Sequence, residues 1–94
     1  MGHGSDRGLN PPAAGPFLVE CYRPETSPGW LTEACRSLDR LGEPTGCRCL
    51  TSILVPEDRV AFFLVEGPSP EAVFALMDRA GIVADRVVAS VLGT

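Results

Sequence analysis

Apolar positions along the chain change their spacing from two to between three and four and back again, and each change marks an element. Residues 17–23 form a short apolar and aromatic run closed by Pro24, which predicts a strand. Leu31, Ala34, Cys35, Leu38 and Leu41 then recur three and four apart, with Glu33, Arg36, Asp39 and Arg40 on the other side. That stripe predicts an amphipathic helix. Ser27 can cap its free amides, Pro28 suits its first position, and Gly42 with Pro44 stops it. Residues 45–55 and 59–66 read as two more strands, joined through Pro56-Glu57-Asp58 into an antiparallel hairpin. After the Gly67-Pro68 break, Ser69-Pro70-Glu71 repeats the capped helix start, and Ala72, Val73, Leu76, Met77 and Ala80 supply a second stripe. Gly81 ends that helix, and residues 82–92 read as the last strand. The order β-α-β-β-α-β predicts an α+β, ferredoxin-like fold: a four-stranded antiparallel sheet with both helices on one face. Residues 1–16, with glycine and proline but no periodicity, read as a flexible tail ahead of a domain spanning 17–94.

The strands carry a further message. In the first, Phe17, Val19 and Cys21 alternate with Leu18, Glu20 and Tyr22; in the third, Val60, Phe62, Leu64 and Glu66 alternate with Ala61, Phe63 and Val65. Neither set has the polarity of a face turned to water. A sheet with helices on one side only would leave an apolar face open, and a domain this small is short of core. A second copy packed sheet against sheet answers both problems, so a two-fold homodimer is expected.

Length and charge narrow the classes. At 94 residues the chain is one domain, and 45% hydrophobic against 21% charged residues is a globular composition. The net charge is −4, and every one of the eight basic residues is arginine. An acidic chain of this kind is a poor partner for nucleic acid. No apolar run reaches the length of a membrane span and no secretory signal stands at the start, so a cytoplasmic location is expected. On that basis Cys21, Cys35, Cys47 and Cys49 are expected to be reduced thiols that pack as small hydrophobes.

Polar side chains on the strands stand out against this background. Glu20, Tyr22, Arg48, Ser52, Glu66 and Arg86 are the candidate ligand-binding residues between the two sheets, if no bulge disturbs the alternation. Carboxylates Glu20 and Glu66 offer hard oxygen ligands for a metal ion; the same residues can equally be paired with arginines near strand ends. Cys47 and Cys49 fall on one side of a strand but lack the turn of a zinc knuckle. His3 is the single histidine, and Met1-Gly2-His3 can bind copper or nickel through its amine, amides and imidazole. The folded body then has no histidine for catalysis, and no phosphate-binding glycine loop or serine elbow occurs.

Several stretches are similar to a known family. Val19-Glu20-Cys21-Tyr22-Arg23-Pro24, the run from Ser52-Ile53-Leu54-Val55-Pro56-Glu57-Asp58 to Glu66-Gly67-Pro68-Ser69, and Arg79-Ala80-Gly81 with Asp85-Arg86-Val87 resemble a small bacterial, mostly actinobacterial, family of unknown function. The resemblance implies a ferredoxin-like fold and, through a relative described as a nickel-binding, nickel-responsive dimer, nickel or another divalent transition metal as a cofactor. Glu20 and Glu66 match family positions. The expected function is therefore a small dimeric binding protein that sequesters or senses a transition metal such as nickel, or holds a small ligand between its sheets. The alternatives are a dimeric α+β-barrel enzyme of oxygenase or isomerase type with Glu20 as general base, and a non-catalytic protein-interaction module.

Overall fold

The computed structural model describes residues 14–22 and 27–93. Strand β1 (Gly15–Tyr22) leads to helix α1 (Pro28–Gly42) and a short 3-10 turn, Glu43–Thr45. Strand β2 (Arg48–Val55), a second 3-10 turn (Pro56–Asp58) and strand β3 (Val60–Gly67) form the hairpin, followed by helix α2 (Pro70–Arg79) and strand β4 (Arg86–Ala89). The sheet order is β2-β3-β1-β4, with every neighbouring pair antiparallel. This is the expected ferredoxin-like α+β arrangement.

Both helices start as the sequence dictates. The Ser27 hydroxyl accepts the Trp30 N–H and the Ser69 hydroxyl accepts the Ala72 N–H, each at 3.1 Å, with a proline in each first turn. Each cap satisfies one amide that the helix leaves without a partner. After α1 the chain reverses through Gly46 at φ 80°, a left-handed conformation that a side chain resists. The hairpin turn instead puts Arg59, a non-glycine, at φ 52°.

The core lies between the helices and one face of the sheet. Phe17, Val19 and Cys21 of β1 and Ala61, Phe63 and Val65 of β3 meet Ala34 and Leu38 of α1 and Val73, Leu76 and Met77 of α2, all buried. Trp30 closes one side with an edge-on contact to Phe63, ring centroids 6.0 Å apart. Gly67 lets β3 approach Cys47 and Val73, because a Cβ there would stand 3.0 Å from both.

Four expectations need correction. Strand β1 begins at Gly15, inside the stretch read as tail, because Gly15 and Pro16 pair with Gly67 and Glu66 and the Pro16 carbonyl accepts the Ser90 N–H. The second strand starts at Arg48 and not at residue 45, since Thr45 belongs to the 3-10 turn. The last strand is only Arg86–Ala89. Finally, Cys35 and Cys49 form a disulfide across a Cα–Cα distance of 5.8 Å, within the span a disulfide bridges, where reduced thiols were expected. Cys21 and Cys47 are free and buried, as expected. The rest of the expected tail, including His3, lies outside the described residues, and no described helix is long and apolar enough to cross a membrane.

Candidate functional site

Among the described residues, no element covers the face of the sheet away from the helices. Strand register assigns its residues, because directly opposed residues share a face. Leu18 opposes Leu64 and Val88, Glu20 opposes Phe62 and Arg86, and Tyr22 opposes Val60. On the other side Arg48 opposes Glu66, Thr51 opposes Leu64, Ile53 opposes Phe62 and Val55 opposes Val60. The middle of this face is thus aliphatic and aromatic, with Ile53 56% exposed and Tyr22 47% exposed. Its charged side chains sit at two diagonal corners: Glu20 and Arg86 across β1 and β4, and Arg48 and Glu66 across β2 and β3.

The Glu20 corner is the more organised. The Glu20 carboxylate accepts the Tyr22 hydroxyl at 2.5 Å and lies 3.7 Å from the Arg86 guanidinium. Its side chain is only 14% exposed, with Tyr22 and Arg86 as its side-chain partners. The hydrogen bond to Glu20 raises the Tyr22 phenol above its usual pKa, since a donated proton is harder to remove. The corner therefore offers a carboxylate acceptor, a phenol and a guanidinium on an apolar floor. In contrast, the Arg48–Glu66 pair is long, at 3.9 Å, and both side chains are well exposed.

Asp85 holds this corner in place, and sequence reasoning missed it. Its N–H donates to the Glu20 carbonyl at 2.8 Å, and its carboxylate accepts the Tyr22 N–H at 2.7 Å. Through these two bonds the entry to β4 fixes the backbone on either side of Cys21. An aspartate just before a strand is the one available sequence signal, and it names no partner. Cys21, packed into the opposite face between them, has its thiol pKa pushed up to about 11 by burial and, secondarily, by the Asp85 charge.

Ser52 does not belong to this surface. Counting by twos from Arg48 places it on the open face, but the register shifts between Cys49 and Thr51, and Leu50 is the extra residue. Ser52 consequently opposes the buried Phe63 and shares its helix-covered side. The bulge is held from α1, where the Asp39 carboxylate accepts the Cys49 N–H at 2.8 Å. The other five sequence candidates do lie on the open face, but in two groups. Glu66 stands four positions along β3 from Phe62, the residue opposite Glu20. At ~3.3 Å per residue that separates the two carboxylates by about 13 Å along the strands, too far for one chain to close both on a single ion. Among the described residues no group of three or more His, Cys, Asp or Glu side chains is placed to hold a metal.

No protein-family model matches the chain, and no curated protein matches it. Among solved structures, the crystal structure of SCO4226 from Streptomyces coelicolor A3(2) is similar, with a TM-score of 0.77 and 22% identity over 85% of this chain and 100% of that one. The two share the fold of a small α+β domain, and an identity this low carries nothing finer.

Proposed function

We propose that this chain is a small binding protein that works as a two-fold dimer through its open sheet face and holds a small polar ligand at the Glu20–Tyr22–Arg86 corner. The observation that carries the reading is that organised polar corner on a face whose apolar residues include Leu18, Ile53, Val60, Phe62, Leu64 and Val88. A second copy of the chain is the occupant that fits the face. Its two arginines and two glutamates balance, so self-docking carries no net charge, and the aliphatic centre gains from leaving water. Enclosed between two sheets, Glu20 and Arg86 would recognise a molecule bearing both a donor and an acceptor, with Tyr22 aligning it. A transition metal such as nickel would instead need ligands from both copies, because one chain leaves Glu20 and Glu66 apart.

Sedimentation at micromolar concentration tests the dimer. The expected species is twice the 10.0 kDa chain, and Phe62→Glu should return it to one copy. A wild-type protein that sediments as one copy overturns the dimer and the enclosed site with it. Calorimetry of the dimer with free amino acids and with Ni²⁺ tests the ligand. Saturable amino-acid binding lost in Arg86→Gln supports the polar-ligand reading. Saturable Ni²⁺ binding lost in Glu20→Gln, without amino-acid binding, replaces it with the metal reading.

A further inference from the structure

A second site stands apart from the open-face corner, where the C-terminal half of α1 passes the start of β2. Arg36, Asp39, Arg40, Glu43, Cys47 and Arg48 border a cleft of about 550 Å³ there. That volume suits a small metabolite. Three arginines meet in this one place on a chain whose net charge is −4.

The three guanidiniums are free enough to take a ligand. Arg40 makes no ion pair among the described residues. Arg36 holds Glu33 at 3.1 Å one turn back along an exposed helix face, and Arg48 reaches Glu66 only at 3.9 Å. Exposed pairs of this kind give way to a better partner. Of the two acids in the wall, Asp39 is committed to the Cys49 N–H at 2.8 Å, which fixes its carboxylate against the bulge. Arg36 and Arg40 are four residues apart on α1, so their side chains emerge side by side. A planar guanidinium presents paired N–H donors that match two oxygens of a phosphate, and two or three of them around one cleft surround it. The backbone plays no part in this, since the Gly46 and Cys47 N–H groups are taken by the Glu43 and Gly42 carbonyls.

We infer that this cleft binds a small phosphate-bearing molecule through Arg36, Arg40 and Arg48. Arg36 and Arg40 stand on α1, away from the open face and the Glu20 corner, and only Arg48 is shared with that face. Calorimetry of the full-length chain with inorganic pyrophosphate at low salt tests it, with citrate as a second anion. The expected result is saturable pyrophosphate binding tighter than about 1 mM, weakened at least tenfold by Arg36→Gln combined with Arg40→Gln and weakened again by raising salt. Both substitutions are on the exposed side of α1, so an unchanged melting temperature shows that the fold is intact. Arg86→Gln, at the opposite corner of the sheet, should leave the binding as it was. The inference is overturned if pyrophosphate shows no saturation up to about 10 mM, or if its affinity survives the double substitution. Citrate bound through these arginines with pyrophosphate excluded would overturn the phosphate assignment.

Discussion

Gly42→Ala reverses the sign that helix propensity gives to a glycine-to-alanine change. Within a helix that change ordinarily stabilises by ~0.5–1 kcal/mol, because alanine loses less backbone freedom on folding. Gly42 closes α1 at ordinary helical angles, φ −83° and ψ −17°, so the backbone itself would accept alanine. The space would not. A Cβ there would stand 2.8 Å from the Cys47 carbonyl oxygen, 2.9 Å from the Cys47 Cβ and 3.1 Å from Leu76 Cδ2. Carbon atoms at optimal separation lie ~3.5–4.0 Å apart, so Cys47 must retreat by the better part of an ångström. It is poorly placed to do so: its N–H is bonded to the Gly42 carbonyl at 2.9 Å, and its side chain is 1% exposed against Gly67. Overpacking of this kind costs ~1–3 kcal/mol, which outweighs the propensity gain and leaves a net loss of about 1–2 kcal/mol. For a domain of this size that lowers Tm by about 4–15 °C. Gly29→Ala supplies the control, because Gly29 lies in the first turn of the same helix with nothing within 4 Å of the added methyl. It should leave Tm unchanged or raise it. Thermal melts of both variants at one fixed protein concentration, which keeps any association constant, decide the matter. A Gly42→Ala protein as stable as the wild type would refute the packing argument at the α1–β2 junction.

Removal of the disulfide by Cys35→Ser opens a loop whose ends are 14 residues apart, which by chain entropy costs about 3 kcal/mol. Urea unfolding should show that loss. A phosphine reductant should destabilise the wild type but not the variant, and a wild type indifferent to the reductant would contradict the pairing. The Cys21 thiol sets a pH dependence: unfolded it titrates near 9.0, whereas folded it keeps its proton to about 11. The folded state therefore binds more protons in that window, so its contribution is whole below pH 9 and falls by up to about 1.4 kcal/mol per unit above it. Urea midpoints from pH 8 to 10 should decline in the wild type and level out in Cys21→Ala; equal slopes would rule the thiol out as the cause.

The sequence determined the elements because each signal is local. Ser27-Pro28 and Ser69-Pro70 mark helix starts, the three-and-four spacing from Leu31 to Leu41 marks a helix face, and the alternation from Val60 to Glu66 marks a strand. From those, chirality and connection rules put both helices on one face of a four-stranded antiparallel sheet, and the structure has that arrangement. The open apolar face was legible for the same reason, since alternation assigns residues to sides.

What tertiary structure decided is whatever depends on register or on partners far along the chain. The extra residue Leu50 carries no mark in the sequence, yet it turns Ser52 from the open face to the helix-covered side. Cys35 and Cys49 look like the other two cysteines until α1 lies over the bulge and brings their Cα atoms within 5.8 Å. Glu20 and Glu66 are alike in the pattern, but pairing sets one in a closed corner with Tyr22 and Arg86 and the other in a loose exposed pair. Asp85 gained its role only when β4 docked beside β1 and gave its carboxylate the Tyr22 N–H. Spacing along a chain fixes which way a side chain points; only the docking of one segment on another fixes what it meets.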